Sequence, residues 1–415
     1  MTVGKSGTVD VVIIGAGAAG LGAAKSLQAA GKSLVVLEAM DRSGGRAWTD
    51  TETFGVPVDW GCHWLHSASI NPMRKYADEL GIAYLDLHVP SRLADNGRLL
   101  PETESETLMQ ELQRLYDRAL GTGNDGIDVA LSDVVDTANP AYSLFASGVQ
   151  AEWGFTPAQV STLDAARYKD TDQNWAVTDG YGMLVQKLAA GIPVSLGTGV
   201  KQVILDGNSV RVVSDQGPIE ARAVIITVST NVLSRGLIDF QPALPDWKLA
   251  AAAAVPLGSD NKVVLQIDSR HFGIDEHMSV RIPYPGAPWF YAQVRPFGRN
   301  IVSIYMGGPI SAELEAAGID AAIEVGRQAL IDAFGSNIAQ YIGTSAASSW
   351  GTEPSILGAY GAARPGEANL RADLAKPIED RILFCGEATH PYFFSTCHGA
   401  WMSGERAAGE AISIL

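Results

Sequence analysis

Three glycines and one acid near the N-terminus have a spacing that could serve a defined chemistry. Gly15, Gly17 and Gly20 form the pattern G-x-G-x-x-G, and Glu38 follows about 20 residues later. The first glycine permits a tight turn, the second lets backbone approach a pyrophosphate, and the third lets a helix pack on a strand. A carboxylate at position 38 can bind ribose hydroxyls, and its charge disfavours a 2′-phosphate. A purely structural strand-to-helix turn is the alternative interpretation.

The elements around these glycines are those that a dinucleotide site requires. The apolar run Val9–Ile14 is typical of a buried strand, and the pattern predicts a helix over Leu21–Ala30. A second apolar run, Leu34–Leu37, ends on Glu38. Together they form a βαβ unit whose helix N-terminus can hold an anion. The segment therefore predicts the start of a Rossmann-like domain.

The next residues favour a flavin over a nicotinamide. The run S-G-G-R at residues 43–46 adds a flexible turn and a cation suited to a second diphosphate contact. This extension resembles the FAD-binding start of the flavin amine oxidase family, which includes monoamine and polyamine oxidases. The resemblance implies FAD as the cofactor, with Gly45 and Arg46 among the residues that bind it.

A block near the C-terminus, Leu383–Ile412, carries a second specific resemblance. It is similar to the C-terminal FAD motif of amine oxidases, in which a Gly-Glu pair, here Gly386 and Glu387, meets the ribityl-phosphate part of the flavin. Its S-T-C-H-G-A run looks most like that of animal-type polyamine oxidases. The resemblance implies flavin contacts for Thr396 and Cys397, and substrate contacts for Ser395 and Thr396.

Two more segments resemble walls of the same site. The segment D-W-G-C-H-W-L-H at residues 59–66 is similar to one in the polyamine oxidase subgroup, and residues 348–366 are similar to a family-wide segment with a tryptophan and a tyrosine. The second segment implies Trp350 beside the flavin and Tyr360 as one wall of an aromatic cage that attracts cations. The first implies flavin contacts from Gly61, Cys62 and Trp64, and substrate contacts from His63 and Trp64.

Alternatives accompany these assignments. His63 could be a hydrogen-bonded core histidine. A metal site at Cys62, His63 and His66 is not expected, because neighbours on a strand point to opposite faces and no further ligands are apparent. Thr396 stands where monoamine oxidases have a second cage tyrosine. Cys397 does not match their FAD-linking cysteine, so the resemblance implies non-covalent FAD.

Lys262, in the run G-S-D-N-K-V-V-L, resembles the strand lysine that amine oxidases place near flavin N5, where it holds a water. A positive charge there would help electron transfer to oxygen. The alternative is a lysine on an edge strand that faces solvent. Val200 and the strand Val224–Val228 resemble the segments that bracket the adenine.

Composition bounds the remaining possibilities. A chain of 415 residues with 47% hydrophobic and 18% charged residues suits two well-packed domains. The net charge of −16 argues against nucleic acid and could steer a cationic substrate, although a plain acidic surface explains it equally. The sequence shows no secretory leader and no membrane-spanning apolar run. Its three cysteines suit a reducing compartment, so a cytoplasmic location is expected.

The predicted fold class is α/β with an α+β second domain. The early βαβ unit and the late strand and helix should share one sheet, so both domains are discontinuous. The FAD-binding domain is predicted at 8–80, 176–245 and 370–415, and a substrate-binding domain of mixed sheet and helices at 81–175 and 246–369. Further predictions are an amphipathic helix at Ser105–Ala119, a helix at Thr178–Ala190 with Asp179 as N-cap, a hairpin turn at residues 206–208, and one or two helices in Ser311–Phe334.

The resemblance implies an FAD-dependent amine oxidase nearest the polyamine oxidases, in which a C–N bond is oxidised to an imine while O2 becomes H2O2. Two alternatives stay open. The first is an amino-acid oxidase, or a dehydrogenase that uses another electron acceptor. An amino-acid oxidase needs a cation for the substrate carboxylate, and the candidates are Arg281, Arg295 and Arg364. The second is a flavin-bound interaction protein without catalysis.

Overall fold

The fold is taken from a computed structural model that describes residues 8–86, 91–284 and 287–415. The first residues of the chain, on which the expectation of no secretory leader mainly rests, lie outside these ranges. Within them, no helix combines the length and the apolar character needed to cross a bilayer.

The elements follow in chain order. The strands are β1 Val9–Ile14, β2 Leu34–Leu37, β3 Thr49–Asp50, β4 Val58–Asp59, β5 Trp64–Leu65, β6 Tyr84–Leu85, β7 Ser91–Asp95, β8 Arg98–Leu99, β9 Trp175–Val177, β10 Val194–Ser195, β11 Val200–Asp206, β12 Ser209–Ser214, β13 Gly217–Ile226, β14 Asp239–Gln241, β15 Asp260–Ile267, β16 Met278–Tyr284, β17 Ala287–Val294, β18 Ile301–Gly307, β19 Ile342–Ala347 and β20 Ile382–Phe384. The α-helices are α1 Ala18–Ala29, α2 Pro72–Leu80, α3 Glu102–Asn124, α4 Leu131–Val134, α5 Tyr142–Trp153, α6 Thr162–Arg167, α7 Tyr181–Leu188, α8 Thr230–Ser234, α9 Asp246–Ala254, α10 Ser269–Phe272, α11 Pro309–Ala317, α12 Ile319–Phe334, α13 Arg371–Ala375 and α14 Cys397–Ile414.

The first large sheet joins strands from distant parts of the chain. Its order is β10-β2-β1-β13-β12-β11-β14, with β20 also paired to β13. At its centre β1 runs parallel to β2 and β13, so that Ile14 stands between Leu37 and Ile226. These strands are apolar on both faces because layers cover the sheet on both sides. The parallel centre aligns the ends of β1 and β2, where Gly15 and Glu38 follow.

Helices α1 and α14 pack together although they come from opposite ends of the chain. A Cβ at Gly404 would lie 2.0 Å from the Ala19 carbonyl oxygen, and one at Gly22 would lie 2.7 Å from the Trp401 carbonyl oxygen. Only glycine permits such an approach at these two positions. This contact places the start of α14 beside the glycine turn.

The second large sheet has the order β19-β15-β18-β17-β16-β7-β8. Strand β15 lies inside it, antiparallel to β18 and β19. Lys262, on β15, is only 5% exposed. The alternative of an edge-strand lysine that faces solvent is therefore wrong.

The structure agrees with several predicted elements and corrects others. The mixed α/β architecture and the β11–β12 hairpin are as predicted, and the helix at Ser105–Ala119 extends over all of α3. Helix α1 begins at Ala18 rather than Leu21. Asp179 is not an N-cap, because Gly180 takes that place with φ 100° and the Asp179 carboxylate accepts a hydrogen bond from the Ala83 N–H. Segment 61–63 is irregular, so the strand argument about Cys62 and His63 does not apply. The domain boundaries remain a prediction.

Candidate functional site

A cavity of about 1020 Å³ is lined by residues of both large sheets and of the loops between them. One end is formed by the glycine turns and the ends of β1, β2 and β13. The other end is formed by side chains of β15, β16, β18 and α5. The two ends differ in what they offer a bound molecule, so they are described in turn.

Glycines shape the first end. Gly15 has φ +105°, and a Cβ there would lie 2.3 Å from the Thr227 hydroxyl oxygen. A Cβ at Gly20 would lie 1.9 Å from the Gly15 carbonyl oxygen, so this glycine lets α1 approach the turn. Gly17 forms a backbone bridge with Gly44, which brings the two glycine turns side by side. The result is a groove of bare backbone at the N-terminus of α1, which suits a diphosphate.

Glu38 closes this groove. Its carboxylate accepts hydrogen bonds from the N–H groups of Ala16 at 2.6 Å and Met40 at 2.9 Å. Burial raises the pKa of Glu38, while these two N–H groups lower it. The carboxylate thus lies at the cavity wall beside the turn, where the predicted contact with ribose hydroxyls would be made.

Glu387 joins three distant segments at the middle of the cavity. Its carboxylate accepts hydrogen bonds from Arg46 Nη1 at 3.0 Å, from Gly361 N–H at 3.2 Å and from Ser395 N–H at 2.9 Å. Ser395 has φ 62°, and its hydroxyl donates to the Gly361 carbonyl. The structure thus pairs Arg46 with Glu387, and both still line the cavity.

The N-terminus of α14 also lines the cavity. Thr396 is its N-cap, and the hydroxyl oxygen accepts a hydrogen bond from Gly399 N–H at 3.0 Å. The thiols of Cys397 and Cys62 are neighbours, and together with burial this contact raises the pKa of Cys62. The free N–H groups of this eighteen-residue helix can stabilise negative charge on a bound ring.

Asp59 organises the part of the cavity wall that includes Gly61 and His63. It is buried and accepts hydrogen bonds from the Thr49 hydroxyl at 2.5 Å and the Tyr181 N–H at 2.9 Å, and its contact with His63 Nδ1 is 3.1 Å. Burial lowers the pKa of His63, and the hydrogen bond to Asp59 offsets this only in part. His63 is therefore both hydrogen-bonded and part of the cavity wall, so the two interpretations offered for it are compatible.

Lys262 lines the cavity next to this segment of the wall. Its Nζ donates to the carbonyl oxygens of Asp59 at 2.7 Å and Gly61 at 2.6 Å, and it lies 4.9 Å from the centre of the Tyr305 ring. Burial lowers the pKa of Lys262, against the opposing effects of nearby carboxylates. The lysine holds segment 59–61 against the cavity and brings a positive charge close to it.

Aromatic side chains form the remaining walls. Trp350 is 7% exposed, and its indole N–H donates to the Trp60 carbonyl at 3.1 Å. The Tyr360 hydroxyl contacts both the Ala151 carbonyl and the Asp260 carboxylate, the latter at 3.0 Å. The aromatic rings that line the cavity are those of Trp60, Trp64, Trp153, Tyr168, Tyr291, Tyr305, Trp350 and Tyr360.

Acidic groups at the second end were missed by the sequence reasoning. Asp260 is 7% exposed, whereas Glu152 has an exposed side chain in the cavity wall. Burial raises the pKa of Glu152 to about 7 and that of Asp260 to about 8. Asp170 and Asp172 are exposed at the rim. The strand period could have indicated Asp260, because residues two apart face the same side and Lys262 was already identified.

Nearly every predicted site residue lines this cavity. The cavity wall includes Gly15, Gly17, Glu38, Gly45, Arg46, Gly61, Cys62, His63, Trp64, Val200, Lys262, Trp350, Tyr360, Gly386, Glu387, Ser395, Thr396 and Cys397. Gly20 lies behind it, in the contact between helix and turn. Of the segment 224–228, which is predicted to bracket the adenine together with Val200, Val228 lines the cavity and Val224 is buried in β13.

The cation candidates divide in the same way. Arg281 lines the cavity, but Arg295 instead bonds to the Ile274 carbonyl and to Glu276. Arg364 is also outside the cavity wall. In the described part of the chain, no cluster of three or more acidic, histidine or cysteine side chains is arranged to hold a metal ion.

Comparison with known proteins assigns this architecture. Residues 18–412 match the family model of flavin containing amine oxidoreductases. Polyamine oxidase 4 of Oryza sativa subsp. japonica is 29% identical over 97% of this chain and 88% of its own length. Human lysine-specific histone demethylase 2 is 27% identical over 97% of this chain and 53% of its own length.

Solved structures show the same fold. Cyclohexylamine oxidase from Brevibacterium oxydans IH-35A superposes with a TM-score of 0.82 at 22% identity, over 98% of this chain and 99% of that one. A double mutant of putrescine oxidase gives a TM-score of 0.79 at 21% identity with the same coverage.

Proposed function

The chain belongs to the flavin containing amine oxidoreductase family, and from this premise we propose that it oxidises an amine with more than one cationic nitrogen, of the polyamine type. It is an FAD-dependent amine oxidase, and its glycine groove, Glu38 and the N-terminus of α14 fit that cofactor. When bound, FAD would accept two electrons as the C–N bond is oxidised to an imine, which water hydrolyses. It would pass these electrons to O2, which becomes H2O2.

The observation that carries the polyamine proposal is the distribution of acids along the cavity. Asp170 and Asp172 stand at the rim, and Glu152 and Asp260 stand inside. Negative charge at a concave entrance raises the local concentration of cations and speeds their encounter. While one ammonium of a polyamine lies at the aromatic cage, a second ammonium of the same molecule could therefore bind one of these carboxylates.

The aromatic walls position the reacting nitrogen. The rings of Tyr360 and Tyr305 line the cavity, where they would attract an ammonium during entry and exclude water from the reacting carbon. His63 is held by Asp59, and burial lowers the pKa of its imidazole, so it adds no positive charge near neutral pH. The wall therefore does not repel a cationic substrate at this point.

Lys262 serves the oxygen half of the reaction. Its buried ammonium, fixed by two backbone carbonyls, provides a positive charge that would stabilise reduced oxygen species. A variant without this charge should distinguish an oxidase from a dehydrogenase that uses another acceptor.

An amino-acid oxidase is the second candidate, and Arg281 favours it. Arg281 lines the cavity, and its Nε has no hydrogen-bond partner among the described residues. A guanidinium of this kind could bind a substrate carboxylate. Glu152 lowers the effective positive charge there, which weakens this candidate.

FAD would be held without a covalent bond, and the protein would be cytoplasmic. The first part of this proposal is supported by the sequence before Tyr360, where Ala359 and its neighbours include no cysteine that could link to FAD. The second is supported by the three cysteines, all of which are unpaired. Acid precipitation of the protein tests the first part: non-covalent FAD should stay in solution, whereas covalent FAD would precipitate with the protein.

The test of function is anaerobic reduction of the purified, FAD-loaded enzyme. The panel contains a triamine, an α,ω-diamine, a monoamine of matched chain length and a neutral α-amino acid. We expect flavin bleaching with the triamine at the highest kcat/KM, and peroxide when air is admitted. Equal kcat/KM for the matched monoamine would contradict the polyamine proposal, and preference for the amino acid would favour the second candidate. No bleaching with any amine would contradict amine oxidation.

A further inference from the structure

Asp260 is a buried acid at the cavity wall with an unusual hydrogen-bond arrangement. It lies two residues before Lys262 on β15, so both side chains face the same side of the sheet. Tyr360 is its side-chain partner among the described residues, at 3.0 Å. The Lys262 ammonium is already bound to two backbone carbonyls. The carboxyl therefore lacks a direct cationic partner.

The hydrogen count of this contact is informative. The phenol of Tyr360 has a single hydrogen, yet its oxygen contacts both the Ala151 carbonyl and the Asp260 carboxyl. A carbonyl can only accept, so when the phenol donates to Ala151 the Asp260 contact requires a proton on the carboxyl. When Asp260 is ionised, the phenol can turn its hydrogen to it instead. Besides the phenol's own hydrogen, the pair can thus hold one further proton, on the Asp260 carboxyl, or none, without losing the Asp260–Tyr360 contact.

The substrate supplies the proton that this pair could hold. An alkylamine has a pKa near that of lysine, about 10.4, and so arrives as an ammonium. Its nitrogen must be neutral before the adjacent carbon can be oxidised. We propose that Asp260 is the group that receives the reacting ammonium and accepts one proton from it, with the Asp260–Tyr360 contact keeping that carboxyl in place.

The step is a simple proton transfer. The ammonium N–H bond breaks and its electron pair stays on nitrogen, while an O–H bond forms on the Asp260 carboxylate. The positive charge of the ammonium and the negative charge of the carboxylate disappear together, so the transfer leaves a neutral amine beside a neutral carboxyl group. This inference rests on the proposed amine oxidation and adds a role that no family motif assigned.

Other titratable groups face this pair. Lys262 lies on the same strand, Tyr305 faces Asp260 from β18, and Glu152 faces the Tyr360 phenol from the end of α5. Burial raises the pKa of Asp260 to about 8, while Tyr360 and Lys262 lower it. The proton-accepting carboxylate therefore predominates above about pH 8 and is lost below it. We expect kcat/KM to rise with pH through this value.

The first experiment compares the pH profile of kcat/KM for the FAD-loaded wild type and Asp260→Asn, which keeps an acceptor for the phenol but cannot take the proton. The rising limb near pH 8 should move towards the pKa of the free amine, and kcat/KM near neutral pH should fall on the order of 10²-fold. Glu152→Gln is the matched control, and it should raise KM but keep the limb. An unmoved limb in Asp260→Asn would overturn the proposal.

A second measurement does not depend on turnover. An amine without hydrogen on its α-carbon binds but cannot be oxidised, and calorimetry in two buffers counts the protons released. Between the pKa of Asp260 and that of the amine, the wild type should release close to none and Asp260→Asn close to one. Equal release by both would contradict the proposal even if amine oxidation is confirmed.

A third measurement uses only the wild type, in case Asp260→Asn does not fold. A β-fluorinated amine with a pKa below neutral arrives without the extra proton, so its kcat/KM should show no rising limb near pH 8. If kcat/KM for this substrate still rose near pH 8, the titrating group would not be Asp260, and the proposal would be overturned. Absence of flavin bleaching with every amine would instead contradict the proposed function.

Discussion

The two ends of the cavity are built from different parts of the polypeptide. At the cofactor end the groove itself is backbone, formed by the bare glycine turns and the starts of α1 and α14, and the side chains of Glu38 and Arg46 border it. At the substrate end the contacts are offered by side chains, including Glu152, Asp260, Tyr305 and Tyr360, from elements far apart in sequence. Backbone groups tolerate little change in position, whereas side chains can be exchanged singly. The difference suggests that one end preserves the cofactor while the other can change the substrate.

The strongest test of this contrast is Gly20→Ala. The added Cβ would lie 1.9 Å from the Gly15 carbonyl oxygen, so the turn would have to move. We expect nearly complete loss of bound FAD, measured as flavin absorbance per protein chain. Gly409→Ala is the matched control, since it lies in α14 and its new Cβ would meet nothing within 4 Å beyond its chain neighbours and the helix's own backbone. It should keep FAD and gain about 0.5–1 kcal/mol in stability. Full flavin content in Gly20→Ala would break the contrast.

Lys262→Met should give the next largest effect. Loss of the buried charge should slow reoxidation of the reduced flavin by O2 on the order of 10²-fold, as loss of a preorganised electrostatic group commonly does. Flavin reduction by the amine should change much less. Stopped-flow mixing of the reduced enzyme with oxygenated buffer measures this rate. An unchanged rate would indicate an electron acceptor other than O2.

Glu38→Ala should sharpen the description of the cofactor end. The variant leaves the Ala16 and Met40 N–H groups without their carboxylate. Loss of a charged hydrogen-bonding group costs about 1.5–3 kcal/mol, so the Kd for FAD should rise roughly 10–100-fold. Glu38→Gln retains acceptor oxygen and should show a smaller rise. Equal affinities for the wild type and both variants, measured by fluorescence titration, would remove Glu38 from the site.

The smallest effect is expected at the rim. Asp170→Asn combined with Asp172→Asn removes two exposed charges, which are screened by salt. KM for a triamine should rise about 2–5-fold at low ionic strength, with kcat unchanged, and the difference should vanish at high salt. Steady-state kinetics at two salt concentrations measure this. A large change in kcat would mean that these acids act beyond attraction.

The same contrast explains what could be predicted from the sequence. Gly15, Gly17, Glu38 and the Gly386–Glu387 pair belong to short contiguous motifs, so their shared site could be predicted before any fold was known. The Arg46–Glu387 pair spans 341 positions, and only the assembled sheet brings it together. Asp260 and Glu152 belong to no short motif. Their role depends on Tyr360 and on the cavity, which only the folded chain brings next to them.

Helix boundaries are also difficult to predict from the sequence, because they depend on contacts that form only in the folded protein. The apolar pattern predicts the first helix from Leu21, three residues after its true start at Ala18, because the glycines hide the start of the apolar period. Asp179 has the right residue type for an N-cap, yet Gly180 takes that place and Asp179 bonds to Ala83 instead. Tertiary partners decide between such local options.

The strand order has a consequence for how the protein is made. Strand β13 lies between β1 and β20, and α14 packs on α1, so the first sheet needs residues from both ends of the chain. During translation the β1–β13 pair can form early, but β13 keeps an open edge until Ile382–Phe384 leaves the ribosome. An open edge strand invites pairing with other chains. A nascent chain stalled before that point would therefore expose this edge, and its flavin site would lack the residues that follow β20.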